Sequence, residues 1–262
     1  MSERPLLAVR GLAVDYPAAG ATAQAALAGI DFALMAGESV ALVGRSGSGK
    51  STLALALLGL LPAGARVRGQ LEWRGGTLAA GGRTHAALRG RAIGYVPQEA
   101  AASLNPYLRA GRQVGEAIIG IGGAERRARV RELLLRAALD RPDAVARRYP
   151  HELSGGQCQR VAIACAAAND PDLLIADEPT SSLDPIAAAE ITALLVRLSR
   201  ARGGALMLVT HDLAAAAAAD RMVVLDGGRI VEAGPPGSLL ANPRAAATRD
   251  LVAAARHLAR AA

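Results

Sequence analysis

Gly44-Arg45-Ser46-Gly47-Ser48-Gly49-Lys50-Ser51-Thr52 fits the pattern GxxxxGK[ST], whose residue types answer the needs of a polyanion. Glycines let the chain curl until successive N–H groups point at phosphate oxygens. A following helix adds the positive end of its dipole, Lys50 brings a point charge to the β and γ phosphates, and Ser51 can ligate Mg2+. Lys50 is the single lysine among 30 lysines and arginines. A forked guanidinium would not replace a slim ammonium inside so tight a loop. With the chain's own frequencies of glycine and of serine plus threonine, a lone lysine falls into this pattern by chance roughly once in a thousand. The motif by itself implies ATP or GTP.

A second group is Asp177-Glu178, two adjacent acids closing the apolar run Leu173 to Ala176. Carboxylates in that position are costly unless they meet a cation or a proton task. Asp177 is placed to hold Mg2+, directly or through water, and Glu178 to orient or deprotonate an attacking water. The bland alternative is a solvated cap ahead of Pro179. A third group is Leu153-Ser154-Gly155-Gly156-Gln157, where Ser154 and the glycine N–H groups can form another anion site at a helix start. An ordinary serine-capped helix is the competing reading.

The elements that must position these groups follow from patterning. LLAVRGLAVDY and IDFALMAGESVALVG read as short strands broken at Gly37 and Glu38, with a helix from Lys50 to about Leu60. A strand at Gly69 to Trp73, a glycine-rich loop at 75–82 and a strand at Ala92 to Val96 come next. From about Glu99 to Ala168 the pattern turns helical, with apolar residues at helical spacing in AERRARVRELLLRAAL. Leu173 to Ala176 and Ala205 to Val209 are continuous apolar strands around a helix from Pro185 to Arg202. This alternation predicts a parallel sheet covered on both faces. Asp226-Gly227-Gly228 suits a hairpin turn between Met222–Leu225 and Arg229–Glu232, and 243–262 reads as a terminal helix.

Composition narrows the class. At 262 residues one folding unit is expected. The longest apolar run, Leu53 to Ala65, contains Pro62 and two glycines and falls short of a bilayer span. MSERPLLAVRGL lacks a basic region followed by an apolar one, so no secretory signal is expected. Cys158 and Cys165 stand seven apart on one helix, about 10 Å along its axis, too far for a disulfide. A net charge of +7 could suit nucleic acid, but the arginines are scattered, and four tyrosines, one Phe and one Trp make poor stacking platforms.

Leu153-Ser154-Gly155-Gly156-Gln157, continuing Cys158-Gln159-Arg160, resembles the signature of the ABC ATPase family. The resemblance implies a head-to-tail dimer with ATP between each P-loop and the partner's signature residues Ser154, Gly155, Gly156 and Gln157. Further positions are similar to the family's in the same order. Tyr16 looks like the aromatic that stacks on adenine, and Gln98 like the glutamine that contacts Mg2+ and senses the γ-phosphate. Ser181-Ser182-Leu183-Asp184 looks like the loop crossing the dimer interface, and His211 like the histidine gripping the γ-phosphate. Taken singly, these would be a core aromatic, a surface glutamine and a histidine at a strand end. Ser182, where alanine is commoner, and Cys158, at a usually long or polar position, depart from the pattern.

The fold so implied is α/β: a P-loop NTPase core of the ABC ATPase type with a mostly parallel sheet, an N-terminal antiparallel β subdomain and an inserted α-helical subdomain. Residues 1–262 would be one ATP-binding domain. Its catalytic core would be 1–98 and 169–242, its helical signature subdomain 99–168 and its terminal helix 243–262.

Val96-Pro97-Gln98 with Ser103-Leu104-Asn105-Pro106, and Tyr149-Pro150-His151-Glu152 before the signature, resemble the ATPases of oligopeptide, dipeptide and nickel importers. In that group the segment after Gln98 lies by the groove that receives a short helix of the membrane subunit. Asn242-Pro243 and Thr248-Arg249 echo the group's C-terminal motif, with Ala245, Ala246 and Ala247 in place of His-Pro-Tyr. The chain ends soon after, which favours shorter members, including nickel or metal-chelate importers. Two cysteines cannot hold an iron–sulfur cluster.

The expected function is ATP hydrolysis coupled to import of peptides, nickel or a metal chelate, at the cytoplasmic face of the membrane. The implied partners are a second ABC ATPase subunit, two transmembrane permease subunits and an extracytoplasmic substrate-binding protein, with no nucleic acid. The alternatives are a non-transport ABC ATPase acting on a soluble or nucleic-acid complex, and an exporter with the same chemistry.

Overall fold

The computed structural model describes residues 4–17, 24–78, 83–181 and 183–261. In chain order the strands are β1 (Leu7–Tyr16), β2 (Gln24–Leu34), β3 (Ser39–Val43), β4 (Arg66–Trp73), β5 (Gly76–Leu78), β6 (Ile93–Val96), β7 (Leu173–Asp177), β8 (Ala205–Thr210), β9 (Arg221–Asp226) and β10 (Arg229–Gly234). The helices are α1 (Lys50–Leu58), α2 (Arg83–Leu88), α3 (Ala100–Ser103), α4 (Ala110–Ala117), α5 (Gly123–Arg136), α6 (Pro142–Arg147), α7 (Gly155–Ala166), α8 (Pro185–Arg200), α9 (Leu213–Ala216), α10 (Pro236–Ala241) and α11 (Ala246–Ala261). A 3-10 turn at Pro150–Glu152 precedes α7. The chain packs as two compact units, 1–88 with 207–262, and 89–206.

In the first unit β1, β2, β4 and β5 form an antiparallel sheet of order β2-β1-β4-β5, the N-terminal β layer that the family resemblance implied. The strand expected at Gly69 begins at Arg66, because Arg66, Val67 and Arg68 continue the ladder opposite Asp15, Val14 and Ala13. The loop expected at 75–82 carries β5, which turns back on β4 with Trp73 opposite Gly76; residues 79–82 lie outside the described residues. β3, buried at every position, pairs in parallel with β9. β9 and β10 form the expected hairpin: Asp226 pairs with Arg229, and both loop residues, Gly227 and Gly228, take positive φ of 50° and 72°. That conformation matches the twist of the strands it joins and is open to glycine at little cost. Leu213, Leu239 and Val252 of α9, α10 and α11 pack with Ala41, Val43, Met222 and Val224 into one core.

In the second unit β6 and β7 run parallel with Val96 opposite Ala176. The helical stretch from 99 divides into α3–α7 around a core of Val114, Val130, Leu133, Leu134, Val145 and Val161. Pro142 and Pro150 sit at the first turns of α6 and the 3-10 helix, where a missing N–H is harmless and φ is preset. Both cysteines are free thiols on α7, as the spacing required. No helix among the described residues is long and apolar enough to cross a membrane.

Candidate nucleotide site

The glycine-rich loop lies in the first unit. β3 delivers the chain to Gly44, and Arg45, Ser46 and Gly47 form an exposed crest before α1 opens at Lys50. A Cβ on Gly44 would run into the Leu225 carbonyl oxygen, and one on Gly49, already at φ 105°, would lie 2.6 Å from the Ala26 carbonyl oxygen. Only glycine fits where backbone crowds backbone. Lys50 is 7% exposed, and its ammonium donates to the carbonyl oxygens of Gly44 at 2.9 Å and Arg45 at 3.1 Å. The lysine thus braces the loop that it would serve. The buried Ser48 hydroxyl has no hydrogen-bond partner among the described residues, and Gly49, as N-cap, brings no side-chain acceptor to the first turn of α1. Unmet hydrogen-bonding capacity around a buried ammonium fits an anion rich in oxygen. The Tyr16 hydroxyl donates to Thr52 Oγ1 at 3.3 Å, so the aromatic candidate stands beside α1.

The acidic pair lies in the second unit. β7 is buried throughout and ends on Asp177, 4% exposed, followed by Glu178, 8% exposed. Glu178 takes φ 47°, a left-handed conformation costing of order 1 kcal/mol for a residue with a Cβ. The neighbouring strand contributes Tyr95, whose phenol donates to the Asp177 carboxylate. Burial, the Asp177 charge and that hydrogen bond push the phenol up to about 12, so it remains a donor at any working pH. Gln98 stands two residues past β6 and is exposed.

Ser154 is the N-cap of α7 in a reciprocal capping box: Gln157 N–H donates to Ser154 Oγ at 3.3 Å, and Ser154 N–H to Gln157 Oε1 at 3.1 Å. Gly155 and Gly156 have negative φ, and a Cβ on either would meet nothing within 4 Å. The chain's own packing therefore gives no reason for glycine at these positions. Asp184 caps α8 by accepting from Ile186 and Ala187 N–H at 3.0 Å each; Ser182 of the same loop lies outside the described residues. His211 is exposed just past β8, and Asp212 caps α9 behind it. No cluster of three His, Cys, Asp or Glu fit to hold a metal is present among the described residues. A hydroxyl such as Ser51 with one carboxylate and substrate phosphates is instead the donor set Mg2+ prefers.

Residues 27–181 match the protein-family model described as ABC transporter. The chain belongs to the ABC transporter family. It is 45% identical over 258 residues to the peptidoglycan transport ATP-binding protein YejF of Agrobacterium fabrum, covering 96% of this chain and 47% of that protein. It is 44% identical over 236 residues to the oligopeptide transport ATP-binding protein OppD of Mycobacterium bovis, covering 87% and 38%. The chain thus spans half or less of the length of these relatives. Among solved structures it is similar to a dimeric ATP-binding cassette in a post-hydrolysis state bound to ADP and Pi, with TM-score 0.77 and 30% identity over 88% of this chain and 98% of that one. It is also similar to cbiO1 from Clostridium perfringens, part of the ABC transporter complex cbiONQ, with TM-score 0.77 and 29% identity over 92% of each.

In this ABC transporter chain the fold brings Tyr16 to the P-loop helix and sets Gln98 and the Asp177-Glu178 pair at the same end of two parallel strands. Sequence reasoning missed Tyr95. A tyrosine inside an apolar strand reads as core, and only the pairing of β6 with β7 reveals what its hydroxyl meets. The segment after Gln98 lines a groove of about 440 Å3 with Tyr95, Pro97, Leu104 and Asn105, and Tyr107 at its edge in sequence is 87% exposed.

Proposed function

We propose that this chain binds ATP with Mg2+ and hydrolyses it to power import of peptides or peptide-bearing fragments. The observation that carries the reading is the P-loop, where a buried lysine braces a glycine-lined loop that still holds a hydroxyl unpartnered among the described residues. Gly44 to Thr52 take the phosphates and Tyr16 the adenine. Ser51, Gln98 and Asp177 would hold Mg2+, which when bound offsets charge on the transferring phosphoryl group. The Glu178 carboxylate orients the attacking water and accepts its proton, and His211 holds the γ-phosphate. Ser154, Gly155, Gly156 and Gln157 take the γ-phosphate bound to a second cassette, with Asp184 in the loop facing it. The open space over both glycines supports that reading, as does Ile186, 76% exposed beside Asp184. The partners are that second ABC ATPase subunit, two permease subunits docking at the groove beyond Gln98, and an extracytoplasmic binding protein, with the chain peripheral on the cytoplasmic face. The peptide class is taken from the names of the relatives; nickel or a metal chelate is the other class.

Two variants test the chemistry. Lys50→Ala should lose nucleotide affinity, and unchanged ATP binding would contradict the phosphate site. Glu178→Gln should bind ATP, stop turnover and trap a closed dimer; ordinary ATPase activity would remove Glu178 from its role. A pull-down from solubilised membranes in the Glu178→Gln background tests transport. Two membrane subunits with a peptide-binding or nickel-binding companion support import and select the solute, whereas a soluble complex or nucleic acid would overturn the transport reading.

A further inference from the structure

The arginines of α5 divide between two faces. Arg129 and Arg136 pair with Asp170 at 2.7 Å each and are accounted for structurally. Arg126, Arg127 and Arg131 instead line an open cavity of about 630 Å3, together with Arg112 and Glu116 of α4 and Asp143 and Arg147 of α6. Its lining carries five arginines against two carboxylates, a local charge of +3. Each carboxylate is already engaged, Glu116 with Arg112 at 2.9 Å and Asp143 with Arg131 at 3.2 Å. Arg126, Arg127 and Arg147 are left without a carboxylate of their own among the described residues. Arg126 is also held in place. Its stem lies against Gly115, where a Cβ would stand 3.6 Å from Cδ; one end of its guanidinium donates to the Ile121 carbonyl, and its buried Nε has no hydrogen-bond partner among the described residues. Val130, Pro142 and Ala146 give the cavity an apolar side.

We infer that this cavity is an anion site for a phosphate-bearing organic ligand, distinct from the P-loop. Arginines brought to one cavity by three helices suit a tetrahedral oxyanion, which accepts forked hydrogen bonds from several sides. The volume lies within the range of small-molecule sites, and the apolar side suits the organic part of the ligand. The ligand is a soluble phosphorylated metabolite or the phosphate headgroup of a lipid.

The test is calorimetric titration of the full chain with inorganic tripolyphosphate in a Lys50→Ala background, which weakens the P-loop's own claim on the probe. The readout is the difference among cavity variants in that one background, so it stands whether or not the P-loop binds ATP. One tripolyphosphate per chain is expected, weakened about tenfold or more by Arg126→Gln with Arg127→Gln. Arg127→Gln alone, at an exposed position, covers the case in which the double variant fails to fold. Glu116→Gln, which frees Arg112, should tighten binding about twofold to threefold, a gain that misfolding cannot mimic. Co-sedimentation with phosphatidic acid vesicles, against phosphatidylcholine alone, separates the sources: partition lost in Arg127→Gln assigns a headgroup, and tripolyphosphate binding without partition assigns a soluble ligand. Binding of neither probe, or binding unchanged across all three variants, overturns the inference.

Discussion

Glu178 holds φ 47° while its carboxylate is buried, so the backbone is strained where the proposed chemistry happens. Replacement by glycine or alanine removes the side chain equally, but only glycine relaxes the backbone. Glu178→Gly should therefore be more stable than Glu178→Ala by about 1 kcal/mol in urea unfolding, with neither variant turning over ATP. Equal midpoints would show that the left-handed conformation is not costly here. Tyr95 offers a pH test. Burial and Asp177 raise its phenol from 10.0 to about 12, so between those values the folded chain holds a proton that the unfolded chain has lost. The contribution is complete below pH 10 and disappears as pH rises toward 12. Tyr95→Phe should flatten the fall in stability across that window, and an unchanged slope would remove the Tyr95–Asp177 bond.

Helix α7 starts on two glycines that its own surroundings do not require, although each costs roughly 1 kcal/mol of helix propensity relative to alanine. Gly155→Ala and Gly156→Ala should leave the thermal midpoint of the isolated chain unchanged or higher. If the glycines admit the nucleotide of a second cassette, the same variants should suppress ATP hydrolysis and the dimer trapped by Glu178→Gln. Full activity in both would return Ser154 to an ordinary helix cap. The start of α1 is the opposite case. Gly49→Ala meets the Ala26 carbonyl at 2.6 Å with φ 105°, and it should destabilise the chain by about 2 kcal/mol or more, read from the urea midpoint.

Over the chain as a whole, a charge of +7 makes acid pH hostile, since protonating carboxylates adds to the repulsion. Asp170 concentrates this risk in the second unit, where Arg129, Arg136 and Arg202 all pair with it. Burial pushes the Asp170 carboxyl up, but the charges and hydrogen bonds of Arg136 and Arg129 outweigh it and hold the group below its ordinary 3.8. The depressed value means that its stabilisation is present above about pH 4 and is lost as pH falls through the folded value. Asp170→Asn should lower stability at pH 7 and shrink the loss as pH falls below about 4. Asp170 has φ 48°, which asparagine tolerates, so the comparison isolates charge. An acid profile identical to the parent's would show that the arginine cluster does not act through Asp170.

Local chemistry was legible in the sequence wherever neighbours in the chain do the work. The P-loop, the capped start of α7, the Gly227-Gly228 hairpin and the apolar strands before Asp177 and His211 all depend on residue types at short spacing, and the fold places them as read. Less was legible where partners are distant in sequence or where patterns overlap. The helical pattern from 99 onward did not show its division into separate helices, and β5 hid within a glycine-rich loop because its pairing lies on β4. The family and the order of its motifs can be read from the chain alone, since both reside in short stretches of contiguous residues. It takes packing to bring Tyr95 to Asp177, to gather Arg129, Arg136 and Arg202 on Asp170, and to set the remaining arginines of α5 along a cavity with Arg112 of α4 and Arg147 of α6. Which face of an element meets which partner is set by packing across the unit, and no local pattern of residues encodes it.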